Sequence, residues 1–176
     1  MFAESVDVLL TFIRVYGLPA LFIVFFIEGI LLGKIIPPIL VIPSALLIFG
    51  DGLMMYGVLL IVCAIGSTAG QYALYKLIDK HGIEFVYETR YIPLNEEQIN
   101  KSIGWFDEWG NVSVTIGHSL PFVRGVMTIP AAMSNTGERT FPLYAFVGNV
   151  TYHGVIILFS LGLLSFLPID NVFDMF

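Results

Sequence analysis

The chain has 176 residues, of which 57% are hydrophobic, 14% aromatic and only 12% charged. That leaves too little polar surface to coat a water-soluble globule of this size, so the composition specifies an integral membrane protein, and the length suits a single membrane domain over residues 1–176. A formal net charge of −6 excludes nucleic acid as a partner, because there is no basic face to release counterions from phosphates.

The N-terminus, MFAESVDVLL, has neither the basic leader nor the small-residue cleavage site of a signal peptide, and the chain reads as mature. A short amphipathic arm runs from Glu4 to Tyr16. The first apolar block follows, over about residues 17–78. It enters at YGLPALFIVFFIEGILLG, meets Pro37, Pro38 and Pro43, turns at GDG, and then runs uninterrupted from Leu53 to about Ile78.

Residues 79–111 hold half of the 14 acidic residues, three of the eight basic ones and both tryptophans. This is a polar linker outside the hydrocarbon, with Trp105 and Trp109 at headgroup depth. Asn95 and the acids after it mark a helix start, and Ile99, Ile103 and Phe106 recur at helical spacing. The linker is therefore predicted to be an amphipathic helix lying along the membrane interface. The second apolar block covers about residues 112–167. It enters near Val112, is broken around Pro121, Gly125 and Pro130, turns at Gly137, and runs from Phe141 to Leu167.

The two blocks share one plan. IPSALLIFG (Ile42 to Gly50) and IPAAMSNTG (Ile129 to Gly137) carry isoleucine, proline, alanine and glycine at the same offsets, and each precedes one long apolar helix. If each broken segment dips into the membrane and returns, each block crosses once and the second dip enters from the opposite side. The expected fold is an all-α membrane protein of two inverted repeats, each a re-entrant helical hairpin followed by a transmembrane helix, joined by the interfacial linker. The hairpin tips are expected to meet near the midplane. Irregular backbone at proline is tolerated there only where protein or water satisfies it. Pro43 and Pro130 suit the first turn of a half-helix, whose inward N-terminus would favour an anion. Lys76 and Lys80 incline the linker face towards the cytoplasm.

Few residues in the apolar blocks carry chemistry. Glu28 follows LFIVFFI and Arg124 sits among the breakers of the second hairpin, one from each repeat. They form the natural pair, either as a salt bridge fixing the hairpins or as a site where Arg124 holds an anionic headgroup and Glu28 exchanges a proton. His118, six residues before Arg124, reads as a proton carrier, a second phosphate donor, or a histidine satisfied at a helix end. Gln71 and Tyr75 on the first long helix, and Asn149 and His153 on the second, stand at i, i+4 and serve as interhelical contacts or as ligand contacts. Lys34 is expected to snorkel. Cys63 is the only cysteine, which excludes an intrachain disulfide and argues against a cysteine-ligated metal site; no metal or cofactor is expected. Asn111-Val112-Ser113 and Asn149-Val150-Thr151 match the glycosylation pattern without changing this reading.

YGLPALFIVFFIEG before a proline-broken stretch, GSTAGQYALYKLIDKHG in the next helix, and LPFVRGVMTIPAAMSNTGERTF followed by GNVTYHG together resemble the DedA family, also called SNARE-associated or VTT-domain proteins. The resemblance covers roughly residues 16–165. It implies two opposed re-entrant hairpins and the movement of lipids between leaflets: polyprenyl-phosphate carriers in bacterial and archaeal members, with proton or sodium coupling, and phospholipids in eukaryotic relatives. By position Glu28 matches the family's first hairpin acid, Arg124 its second arginine and Pro43 the proline of the first hairpin; Pro121 lies within the arginine signature. The chain departs from the pattern where Pro43-Ser44-Ala45 lacks the second acid, His118 replaces the first arginine, Ala132 replaces glycine and Tyr152 replaces tryptophan.

The resulting expectation is a multi-pass lipid translocase of the cell membrane, not an enzyme, that moves a polyprenyl phosphate between leaflets. Its rivals are an energy-independent phospholipid scramblase and an intramembrane lipid phosphatase. The sequence leaves the coupling ion, the direction of transport and the oligomeric state open.

Overall fold

A computed structural model of the chain describes residues 2–30, 38–50, 52–82, 96–121, 123–124, 126–134 and 136–166. Lys34, Pro37, Asp51, residues 83–95, Gly125 and Leu167 lie outside the described residues. Among those described, eight α-helices follow one another: α1 (Phe2–Tyr16), α2 (Leu18–Ile30), α3 (Pro38–Phe49), α4 (Leu53–His81), α5 (Glu96–Trp109), α6 (Asn111–Ser119), α7 (Thr128–Met133) and α8 (Thr140–Phe166).

Local chemistry sets several of these boundaries. Gly17 (φ +66°) ends α1, donating its N–H to the Ile13 carbonyl at 2.8 Å, a left-handed cap that a glycine adopts without Cβ strain. Gly110 (φ +56°) does the same for α5, with its N–H 2.8 Å from the Phe106 carbonyl, so that α6 can start at the next residue. Pro38 opens α3, where its missing N–H costs nothing. Pro43 lies inside α3, which corrects the expectation that it opens a half-helix. The helix is one turn longer than the IPSALLIFG motif suggested, because the apolar residues Ile39, Leu40 and Val41 extend it back to Pro38. Pro130 is the third residue of α7, within its first turn as expected.

The lengths divide the helices into two kinds. α4 and the Thr140–Leu163 stretch of α8 are each long and apolar enough to cross a membrane. The 29 residues of α4 extend about 43 Å, more than a hydrocarbon core of about 30 Å. The 13 residues of α2 reach only about 20 Å, too short to cross alone. The long helices are apolar on their outer faces too: Leu158 and Phe159 expose 71% and 62% of their surface. Such all-round apolarity suits contact with hydrocarbon, since water would penalise those faces.

The packing repeats along the chain. α2 lies on α4 and α6 on α8; α4 and α8 pack on each other; α3 crosses to α8 and α7 crosses to α4. α1 contacts α2 and α3, as α5 contacts α6 and α7. Close backbone approach makes the two tightest of these contacts possible. A Cβ on Gly70 would lie 2.1 Å from the Phe26 carbonyl oxygen, and one on Gly148 would lie 2.6 Å from the Thr115 carbonyl oxygen. Small residues substitute backbone contact for side-chain packing between membrane helices, where no hydrophobic driving force between helices operates.

The contacts also fix relative direction. Phe22 lies at Gly66 and Phe26 at Gly70, so α2 runs parallel to α4. Thr115 bonds the Tyr144 carbonyl at 3.0 Å and His118 lies at Gly148, so α6 runs parallel to α8. Tyr75 stacks on Phe141, while Gly154 lies near Leu60, so α4 and α8 are antiparallel. Two hydrophobic clusters occupy the two ends of this pair. One joins Leu74, Tyr75 and Ile78 to Phe141, Ala145 and the α6 and α7 side chains; the other joins Leu59 and Cys63 to Ile156, Ile157 and those of α2 and α3.

Gly70→Ala should destabilise the protein by about 1–3 kcal/mol through overpacking against backbone, lowering the thermal unfolding midpoint in detergent. Gly57→Ala on the same helix meets open space and should be neutral or stabilising by up to about 1 kcal/mol. Equal tolerance of the two substitutions would refute the close α2–α4 contact.

Candidate functional site

A polar layer separates the two hydrophobic clusters, and its side chains come from four places in the chain. α2 contributes Glu28, two residues before its end. α4 contributes Ser67, Thr68 and Gln71, which lie along one face because residues one turn apart stack. α8 contributes Asn149. Arg124 comes from the turns between α6 and α7, where its N–H bonds the Leu120 carbonyl at 3.1 Å. Pro121 is the residue that prevents α6 from continuing there; its own side chain is exposed.

Glu28 and Arg124 form a buried ion pair, their side chains 1% and 3% exposed. Arg124 Nη1 lies 3.1 Å from Glu28 Oε1, and Arg124 Nη2 donates to Glu28 Oε2 at 3.2 Å. The same Nη2 also reaches Ser67 Oγ and Asn149 Oδ1, both at 3.3 Å. Ser67 donates to Glu28 Oε2 at 3.1 Å. Asn149 Nδ2 donates to Gln71 Oε1 at 2.8 Å and to Thr68 Oγ1 at 3.0 Å, and Gln71 Nε2 returns a bond to Asn149 Oδ1 at 3.4 Å. The guanidinium lies over the Tyr152 ring, 4.2 Å from its centroid, a cation–π contact worth roughly 2 kcal/mol when desolvated.

The layer is not saturated. Arg124 Nη1 and Glu28 Oε1 are close enough to attract but make no aligned hydrogen bond, and Thr128 Oγ1 and His118 Nε2 are buried without a partner among the described residues. Buried polar groups normally find partners. These donors and acceptors therefore have spare capacity for a polar guest.

Of the residues singled out in the sequence, Glu28, Arg124, Gln71 and Asn149 meet in this one network. His118 is fully buried at the end of α6, with Nδ1 2.9 Å from the Val114 carbonyl oxygen and its ring edge-on to Phe141. Tyr75 lies a turn beyond Gln71; its hydroxyl donates to the Thr136 carbonyl and its ring stacks on Phe141. It belongs to a hydrophobic cluster rather than to the layer. Pro43 is half-buried in α3 beside Ile42 and Ala45 of the opposite cluster. The half-helix expected to present its N-terminus, α7, has only six residues and so little macrodipole. The cation of the layer is a side chain. Sequence reasoning did not single out Ser67 and Thr68 for this network, although hydroxyls one turn before Gln71, flanked by Gly66 and Gly70, stand out on an apolar helix.

Removing one member of a buried pair leaves the other uncompensated. Arg124→Met should therefore destabilise the fold by about 3–5 kcal/mol, and adding Glu28→Gln should recover most of that loss. Thermal unfolding of the two variants in detergent checks this; an additive rather than compensating double variant would contradict the pairing.

No family model matches the chain, and the solved structures give no significant match. Among curated proteins, undecaprenyl phosphate transporter A of Staphylococcus aureus (strain NCTC 8325 / PS 47) is 26% identical over 165 residues, covering 86% of this chain and 77% of the relative. An alkaline phosphatase-like protein of Lactococcus lactis subsp. cremoris (strain MG1363) is 28% identical over 145 residues, covering 76% of this chain and 65% of the relative. The first similarity runs through both apolar blocks, because the 14% of the chain that it leaves out is shorter than either block. Together with the two helices able to cross a membrane, it makes the chain a membrane protein and bears out its resemblance to the DedA family.

Proposed function

We propose that this protein is a multi-pass translocase of the cell membrane that moves a polyprenyl phosphate between leaflets, with Arg124 as the phosphate-binding residue. The observation that carries this reading is the buried, incompletely satisfied Glu28–Arg124 network at the junction of α6 and α7. A guanidinium matches a phosphate as well as it matches a carboxylate, with two parallel N–H donors in either case. Phosphate and Glu28 therefore compete for one cation. Protonation of Glu28 releases Arg124 to the phosphate, and deprotonation returns the carboxylate and expels the headgroup. The isoprenoid tail needs no protein pocket, because it stays in the bilayer.

The packing supports an inverted-repeat arrangement of residues 17–78 and 112–167. The principal contacts among α1–α4 recur among α5–α8, α4 and α8 are antiparallel, and Gly70-Gln71 stands to α2 as Gly148-Asn149 stands to α6. The Gln71–Asn149 amide pair then lies on the pseudo-two-fold axis. α2 and α6 are short and parallel to the long helix beside them, as an entering arm of a re-entrant hairpin must be, while α3 and α7 cross to the opposite long helix. Two dips from opposite faces bring their tips to one layer, which is a geometry suited to alternating access. The name of the Staphylococcus aureus relative supports the same substrate class, and favours a transporter over an enzyme.

Arg124→Lys keeps the charge but loses the forked geometry, and should weaken binding of a polyprenyl phosphate to purified protein roughly 30-fold or more. Glu28→Gln should retain binding and lose the dependence of liposome transport on a pH gradient. Binding indifferent to Arg124, or transport that ignores the gradient in the wild type, would instead identify an energy-independent scramblase; phosphate release from the lipid would identify a phosphatase.

A further inference from the structure

The described residues hold a cavity where α5 meets α6, lined by none of the polar-layer side chains. Trp105, Glu108 and Trp109 on α5 and Ser113 and Ile116 on α6 line a cavity of about 180 Å³. Trp105 and Trp109 are one helical turn apart, and the cavity they line also takes in Glu108, so a carboxylate and two indoles share its wall. Trp105 and Trp109 are 43% and 53% exposed. The hydroxyl of Ser113 is occupied by the Gly110 carbonyl at 2.6 Å, and no ion pair of Glu108 is found among the described residues. The neighbouring acid Glu97 is held by Lys101 at 2.6 Å and its carboxyl lies below the usual range for that reason.

Electron-rich indole faces and a carboxylate attract a cation, and repel an anion such as the phosphate proposed for Arg124. We infer that this cavity binds the ammonium group of a zwitterionic phospholipid, with the cation against the two indoles and Glu108. The lipid source follows from position. α5 is amphipathic, with Ile103 and Phe106 packed on the core and the tryptophans outward, and Gly110 alone separates it from α6, whose Val112 is 50% exposed, so the cavity opens where an amphipathic surface meets an exposed apolar side chain. At such a boundary a headgroup ammonium enters the cavity while the acyl chains stay beside α6. The site is independent of the Glu28–Arg124 reading and holds or orients the protein against the surrounding lipid.

The chain has only two tryptophans, both in this cavity, so intrinsic fluorescence reports on it directly. Purified protein in maltoside detergent is titrated with dihexanoyl phosphatidylcholine, dihexanoyl phosphatidylglycerol and choline chloride. A saturable change in tryptophan emission is expected with phosphatidylcholine alone, weakened roughly fivefold by Glu108→Gln and unchanged in Glu28→Gln, whose folding is checked by its unfolding midpoint. An equal response to phosphatidylglycerol, a linear response without saturation, or indifference to Glu108→Gln overturns the proposal. Saturation by choline chloride at the same concentration assigns the site to a soluble amine and overturns the lipid assignment.

Discussion

A carboxylate and a guanidinium buried in an apolar bundle constrain everything around them. Neither Glu28 nor Arg124 is tolerable alone at that depth, and each is supplied by a different part of the chain. The pair therefore makes the two halves interdependent: α2 can end where it does only if the turns after α6 deliver Arg124 to the same point. Ser67 bonds both partners, and Asn149 extends the network to Gln71 and Thr68. Hydrogen bonding of this kind offsets part of the desolvation cost, while Arg124 Nη1, Thr128 Oγ1 and His118 Nε2 keep hydrogen-bonding capacity unused among the described residues.

Bringing those groups together requires helices that touch through backbone. Gly70 and Gly148 remove the side chains that would hold α2 from α4 and α6 from α8. In hydrocarbon this matters more than in water, because burial of apolar side chains between helices yields little net gain over contact with lipid. The hydrophobic clusters above and below the layer then exclude water along the α4–α8 pair. The result is a thin polar slab in an otherwise apolar body. For a lipid with a charged head and a long apolar tail, the proposed route follows from that contrast.

Where the DedA pattern that the chain resembles has its second acid and first arginine, this chain has Ala45 and His118, and both are buried. Ala45 belongs to the hydrophobic cluster of α2 and α3, and His118 bonds its own helix through Nδ1. Losing one charge of each sign keeps the local balance, so a single ion pair remains as the electrostatic centre. In the proposed mechanism all of the exchange between carboxylate and phosphate falls on Glu28 and Arg124.

Composition and periodicity alone indicated a membrane protein, two long apolar helices, two broken apolar segments and an amphipathic helix between the halves, because each is a local property of hydropathy and of the proline and glycine positions. The pairing of Glu28 with Arg124 was also legible, since an apolar setting leaves each charge so few partners. The DedA resemblance added what to expect of Pro43, and i, i+4 spacing from Gln71 offered Tyr75; the structure places both away from the ion pair. Proline marks a break without saying on which side the helix resumes, which is why the start of α3 fell a turn earlier than the motif suggested. Only the tertiary structure decided that Ser67, Thr68, Gln71 and Asn149 share one network with the ion pair, and that Tyr75 does not. Those assignments depend on how α4 and α8 are rotated and staggered against each other, which is set by pairs such as Tyr75 with Phe141 and Gln71 with Asn149, whose members lie dozens of residues apart in the chain.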